Sequence, residues 1–175
     1  MNSTFLLHAL PSVLKFEGGY SDNPNDSGGP TNYGITQAEY DRHRISCGES
    51  TQSVQLIKQD EVDNIYLTYW NAVHGDQLPY PIDWITFDAA VNMGPQTAIN
   101  FLEQAVGLPK GYAISQNLIN AVSAACTSLD GVHKLKESEL QDRIQYYKDI
   151  VNNNPRDAVF LAGWINRVNI LDNES

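Results

Sequence analysis

Along most of this chain apolar residues recur at every third or fourth position, the spacing of amphipathic helices. Leu6, Ala9, Leu10, Val13, Leu14 and Phe16 keep that rhythm up to Glu17, where Gly18 and Gly19 stop it. Pro11 predicts a kink or interruption in this first helix. Thr36-Gln-Ala-Glu39 reads as a capping box opening a helix that runs to about Arg44, and a loop over residues 46–53 follows. Val62, Ile65, Tyr66, Tyr69 and Val73 mark a longer helix that ends near Gly75. Residues 82–93 are apolar on most sides, are introduced by Pro79 and Pro81 and end at Gly94-Pro95, which predicts a helix buried in the centre of the protein. Helical spacing returns at residues 96–106 (Ile99, Leu102, Val106), 115–125 (Leu118, Ile119, Val122), 132–151 (Leu135, Ile144, Tyr147) and 156–168 (Phe160, Leu161, Trp164, Ile165, Val168).

One stretch breaks the rhythm. Residues 18–36 read G-G-Y-S-D-N-P-N-D-S-G-G-P-T-N-Y-G-I-T, with five glycines, two prolines, three asparagines and two aspartates. That density of turn formers excludes a helix and leaves room for one short hairpin around Thr31 to Ile35. A glycine-rich, acid-bearing loop held between two helices is a common setting for chemistry.

Composition narrows the partners. The 175 residues are 42% hydrophobic and 18% charged, a folded composition, and a chain of this length buries roughly 70% of its unfolded surface without needing staples. With 11 basic against 21 acidic side chains the net charge is −10, which argues against nucleic acid and against anionic membranes. No run approaches the roughly 20 apolar residues of a membrane span, and the N-terminal stretch lacks the basic start and small-residue cleavage pattern of a secretory signal. Cys47 and Cys126 have no ligand-spaced neighbour and read as small core or loop residues. There is no internal repeat and no linker, although Gly94 is a natural seam between two lobes.

The loop offers carboxylates and little else. Glu17 follows apolar Phe16, a setting that disfavours ionisation and suits a general acid. Asp26 lies across the turn beside Gly28 and Gly29, and the Thr31 hydroxyl can help hold a water. An acid, a second carboxylate and a water-holding hydroxyl are the equipment for hydrolysing a glycosidic bond with inversion. The same residues also permit a plainer reading, with Glu17 solvated at a helix end and Asp26 forming an Asx turn. The EF-hand pattern fails here, and His8, His43, His74 and His133 are isolated, so no metal site is expected. Asp88 and Asn92, at i and i+4 on the buried helix, need polar partners in either the core or a cleft. Trp70 reads as core or as a sugar-stacking face, Tyr66 as core, and Trp164 with Arg167 as a packing and salt-bridge unit.

The string F-E-G-G-Y-S-D-N-P-N-D-S-G-G-P-T-N-Y-G-I-T resembles the signature of glycoside hydrolase family 108, the N-acetylmuramidases found as phage endolysins and bacterial secretion activator proteins. Ile65-Tyr-Leu-Thr-Tyr-Trp70, Phe87-Asp-Ala-Ala-Val-Asn-Met-Gly94 and Gly163-Trp-Ile-Asn-Arg-Val168 are similar to three further blocks of that family, in its order. The resemblance implies a mainly all-α, lysozyme-like fold with a muramidase lobe over 1–93. Over 94–175 it implies a dependent helical lobe similar to the family's peptidoglycan-binding module, although the stretch from Gly107 lacks the usual D-G-x-x-G turn.

It places the catalytic glutamate on Glu17. Likeness to the Glu-Asp-Thr arrangement of phage-type lysozymes adds Asp26 and Thr31. Tyr20, Tyr33, Thr36, Trp70, Asp88 and Asn92 are the expected substrate contacts. The implied substrate is peptidoglycan, cut at the β-1,4 bond between N-acetylmuramic acid and N-acetylglucosamine by a monomer that needs no metal or organic cofactor. The implied route is cytoplasmic synthesis followed by holin-type or secretion-system release to the wall. A lytic transglycosylase and a non-catalytic wall-binding protein on the same fold are the alternatives.

Overall fold

The computed structural model describes residues 4–22, 29–111 and 113–175. Almost all regular structure is helical. A π-helical turn, Phe5–Ala9, runs directly into α1, Leu10–Glu17, with the Leu10 N–H donating to the Phe5 carbonyl. Pro11, which has no N–H to extend a regular ladder, sits in the first turn of α1, so the expected interruption takes the form of a π-to-α junction.

After the loop comes a hairpin, β1 (Thr31–Asn32) and β2 (Ile35–Thr36), in which Thr31 faces Thr36 and Asn32 faces Ile35. Its two turn residues, Tyr33 and Gly34, both have positive φ, 51° and 73°, the requirement of a turn whose twist matches its strands. Thr36 then caps α2, Gln37–Ser46, by accepting from the Glu39 N–H at 3.2 Å. The reciprocal half of the expected capping box does not form, because the Glu39 carboxylate accepts from the Tyr69 hydroxyl at 2.7 Å.

The remaining helices are α3 (Gln59–Ala72), α4 (Ile82–Met93), α5 (Pro95–Ala105), α6 (Gln116–Ala125), α7 (Leu129–Asn153) and α8 (Ala158–Glu174). Short 3₁₀ turns at Val54–Leu56, Gly75–Gln77 and Pro155–Asp157 precede α3, α4 and α8. The last helix extends to residue 174, past the end of its apolar rhythm. As its composition predicts, α4 is the axis of the fold, and every residue from Ile82 through Ala90 is buried. It packs on α3, α5 and α7, and α7 in turn packs on α8.

The main hydrophobic core runs from Phe5, Val13, Trp70 and Phe87 to Leu102, Leu118, Leu135 and Leu171, and so crosses Gly94 without a break. A smaller cluster of Ile85, Leu140, Tyr147 and Val168 seals α4 against α7 and α8. Cys47 is exposed, Cys126 is half-buried, and both are free thiols. No helix among the described residues is long and apolar enough to cross a membrane.

Candidate active site

Glu17 is the last residue of α1. Its side chain is one-fifth exposed, and Oε1 accepts from Nη1 of Arg167 at 2.8 Å, so the carboxyl expected in apolar surroundings in fact faces a guanidinium. Oε2 lies against the hairpin turn at Gly34, where an added Cβ would overlap the carboxylate and come within 2.9 Å of its Cδ. Gly34 therefore serves two needs, a positive φ and an empty space for Glu17. Beneath the turn, the Tyr66 hydroxyl donates to the Tyr33 carbonyl at 2.6 Å. Burial, reinforced by the charges of Glu17 and Glu39, holds the Tyr66 hydroxyl far above the usual phenol range, so it remains a donor.

Behind Glu17 stands a chain of buried charge. Arg167, on α8, donates through Nε and Nη2 to Asp88 on α4, at 2.8 to 3.1 Å, and its guanidinium lies 4.7 Å from the centre of the Phe16 ring. Arg143, on α7, approaches the other side of Asp88, with Nη2 2.7 Å from Oδ2. Arg143 Nε also donates to the Tyr147 hydroxyl at 3.0 Å, and that hydroxyl donates to Asn92 Oδ1 at 2.5 Å. Asp88 and Arg143 are fully buried. Burial alone would raise the Asp88 carboxyl, but the two guanidinium groups overcome it and hold Asp88 below the usual carboxylate range. Arg167 is pushed up in turn by Asp88 and Glu17, against its own burial.

The expected site residues fall into three groups. Glu17 lies against the hairpin at Gly34; Tyr33 is the preceding turn residue, and Thr36 on β2 faces Thr31 on β1. Thr31 also exchanges two 2.9 Å backbone hydrogen bonds with Ser21, which closes the base of the intervening loop. Tyr20, 41% exposed, leads into that loop. Asp26 lies outside the described residues.

Trp70 and Asp88 stand apart from solvent, and the expected sugar contact from them is corrected. Trp70 is 1% exposed, wedged between Phe5 and Phe87 at ring-centre distances of 5.4 and 5.6 Å, with its N–H on Asp76. Asp88 is enclosed by its two arginines. Asn92 is half-buried, and its side-chain oxygen is engaged by Tyr147. The pairing of Arg143 and Arg167 around Asp88, and the contact of Arg167 with Glu17, are what sequence reading missed. The available signals were an acid amid the apolar residues Phe87, Ala89 and Ala90 and a cation on the apolar stripe Trp164, Ile165, Val168. A separate cavity of about 210 Å³ between α5 and α7, lined by Phe101, Lys110, Asp142 and Tyr146, contains none of the expected site residues.

Comparison with known proteins gives a family and a similar fold. The family model described as Glycosyl hydrolase 108 matches residues 10–94. The solved structure of Brucella abortus SagA is 30% identical, with a TM-score of 0.74 over 98% of this chain and 92% of that one. No curated protein matches.

Proposed function

The chain belongs to glycosyl hydrolase family 108, and from that premise we propose that it is a peptidoglycan hydrolase of the N-acetylmuramidase type. The observation that carries this reading is the setting of Glu17, an accessible carboxyl between a guanidinium and a side-chain-free turn. Glu17 gives its proton to the glycosidic oxygen between N-acetylmuramic acid and N-acetylglucosamine as the C–O bond breaks. Asp26 remains ionised, stabilises the oxocarbenium-like transition state and, with Thr31, orients the water that attacks from the opposite face. That water's proton passes to Asp26, and the sugar carbon is inverted. Tyr20, at the start of the loop, and Tyr33 and Thr36, on the hairpin, are the proposed sugar contacts. The enzyme works as a monomer on the wall, in phage lysis or bacterial wall remodelling, after release by a holin or a secretion system.

The test is digestion of purified sacculi by wild type and Glu17→Gln, with mass spectrometry of the released muropeptides. Wild type should release products that have gained water. The amide variant, isosteric but unable to act as an acid, should release none while keeping its fold. Anhydro-muramic ends would indicate a transglycosylase, and sacculus binding without solubilised sugar would indicate a wall-binding protein. Undiminished digestion by Glu17→Gln would remove Glu17 from the mechanism.

A further inference from the structure

We propose that Arg167 is a positioning residue that decides which oxygen of Glu17 carries the transferable proton, and that the C-terminal helices are thereby part of the active site. The inference deepens the reading of Glu17 as the acid and rests on it. A guanidinium has only donors and keeps its charge. The Glu17 oxygen that faces Arg167 Nη1 at 2.8 Å is therefore an acceptor, and a proton on the carboxyl resides on Oε2. Oε2 is the oxygen beside Gly34, where only the absence of a side chain admits the carboxylate. The proton is thus carried on the side of the carboxyl turned away from Arg167. As the proton leaves, the negative charge that develops on the carboxylate meets a cation already in place, with little reorganisation.

Arg167 can do this only if it is itself immobile. Its Nε and Nη2 are occupied by Asp88, which leaves Nη1 for Glu17. Asp88 is drawn from its other side by Arg143, which forms an ion pair with its second oxygen at 2.7 Å. The Phe16 ring, one residue before Glu17, packs against one face of the guanidinium. The order of constraint is therefore Arg143 on α7, Asp88 on α4, Arg167 on α8 and Glu17 on α1. Two of those four residues lie beyond residue 94, where the family match ends. The half of the chain expected to serve as a wall-binding module supplies the fixed cation of the catalytic acid.

The decisive experiment measures turnover of soluble peptidoglycan glycan fragments by full-length Arg167→Lys and Arg167→Ala, each normalised to its folded fraction by circular dichroism. A lysine ammonium cannot fork between Asp88 and Glu17 as a guanidinium does. For Arg167→Lys we expect kcat to fall by about 10- to 100-fold with KM within about twofold of wild type, the mark of an interaction that acts on the transition state. Guanidinium chloride at millimolar concentration should restore Arg167→Ala by about tenfold or more, and methylammonium should not. Wild-type kcat in Arg167→Lys would overturn the proposal, as would a loss that merely follows the folded fraction or the absence of guanidinium rescue. Wild type and Glu17→Gln run alongside test Glu17 as the acid separately, so that reading can stand while this one fails.

Discussion

The Tyr66 hydroxyl on α3 donates a 2.6 Å hydrogen bond to the Tyr33 carbonyl at the tip of the hairpin, and so fastens the turn beside Glu17 to the body of the protein. Tyr66 itself is 2% exposed. Tyr66→Phe keeps the packed ring and leaves that carbonyl without its donor, at an expected cost of about 1–3 kcal/mol in urea unfolding. Because the turn then has more freedom beside the acid, turnover should fall by more than the folded fraction does. Equal stability and equal turnover in the variant would show that the bond is dispensable.

Gly34 offers a sharper perturbation. Its φ of 73° is unfavourable for any residue with a side chain, and a Cβ there meets the Glu17 carboxylate. Gly34→Ala should lose about 1–2 kcal/mol to backbone strain. It should also lose activity by about 100-fold or more, as the carboxylate is forced from its place. Stability and wall digestion measured on the same preparation separate the two effects.

Asp88 joins α4 to α7 and α8 through two buried arginines. Asp88→Asn keeps the shape but removes the counter-charge from both, and such a loss typically costs about 3–5 kcal/mol. The expected result is a large fall in the urea midpoint. A midpoint close to wild type would mean that the arginines find other partners.

Glu139, on α7, accepts from Thr86 at 3.0 Å and is 1% exposed. Burial pushes its carboxyl up to about 8, with the Thr86 hydrogen bond and the Arg143 charge offsetting part of the effect. Between an ordinary glutamate value of about 4.3 and that raised value, the unfolded chain ionises this group while the folded protein keeps it protonated. In that window the unfolded state binds fewer protons, so stability falls as pH rises. Glu139→Gln, neutral throughout, should flatten the decline measured between about pH 5 and about pH 8. An unchanged slope would assign the decline to other groups.

Much of this architecture is written in local sequence. The all-round apolarity of residues 82–93 announces a central helix, Ser115 accepts from the Leu118 N–H as a cap residue should, and the turn formers before Ile35 yield the hairpin. The place of Glu17, at a helix end on the edge of that turn-rich loop, is legible as well. What stayed hidden depends on partners distant in sequence. Trp70 has the composition of a sugar platform, and only the arrival of Phe5 and Phe87 makes it core. Asp88 and Arg167 each carry a charge on an apolar surface, which says that a partner exists and not which one. Their pairing is settled when α8 docks on α4, a tertiary event that no local pattern encodes.

The 2.8 Å contact between Glu17 and Arg167 spans nearly the whole length of the chain. Chains are synthesised from the N-terminus, and early segments fold first. The loop and hairpin can therefore form while the acid still lacks its cation, and residue 167 must be made, folded into α8 and docked before the pair can close. A chain shortened before α8 should therefore keep the hairpin and lose the contact between Glu17 and Arg167.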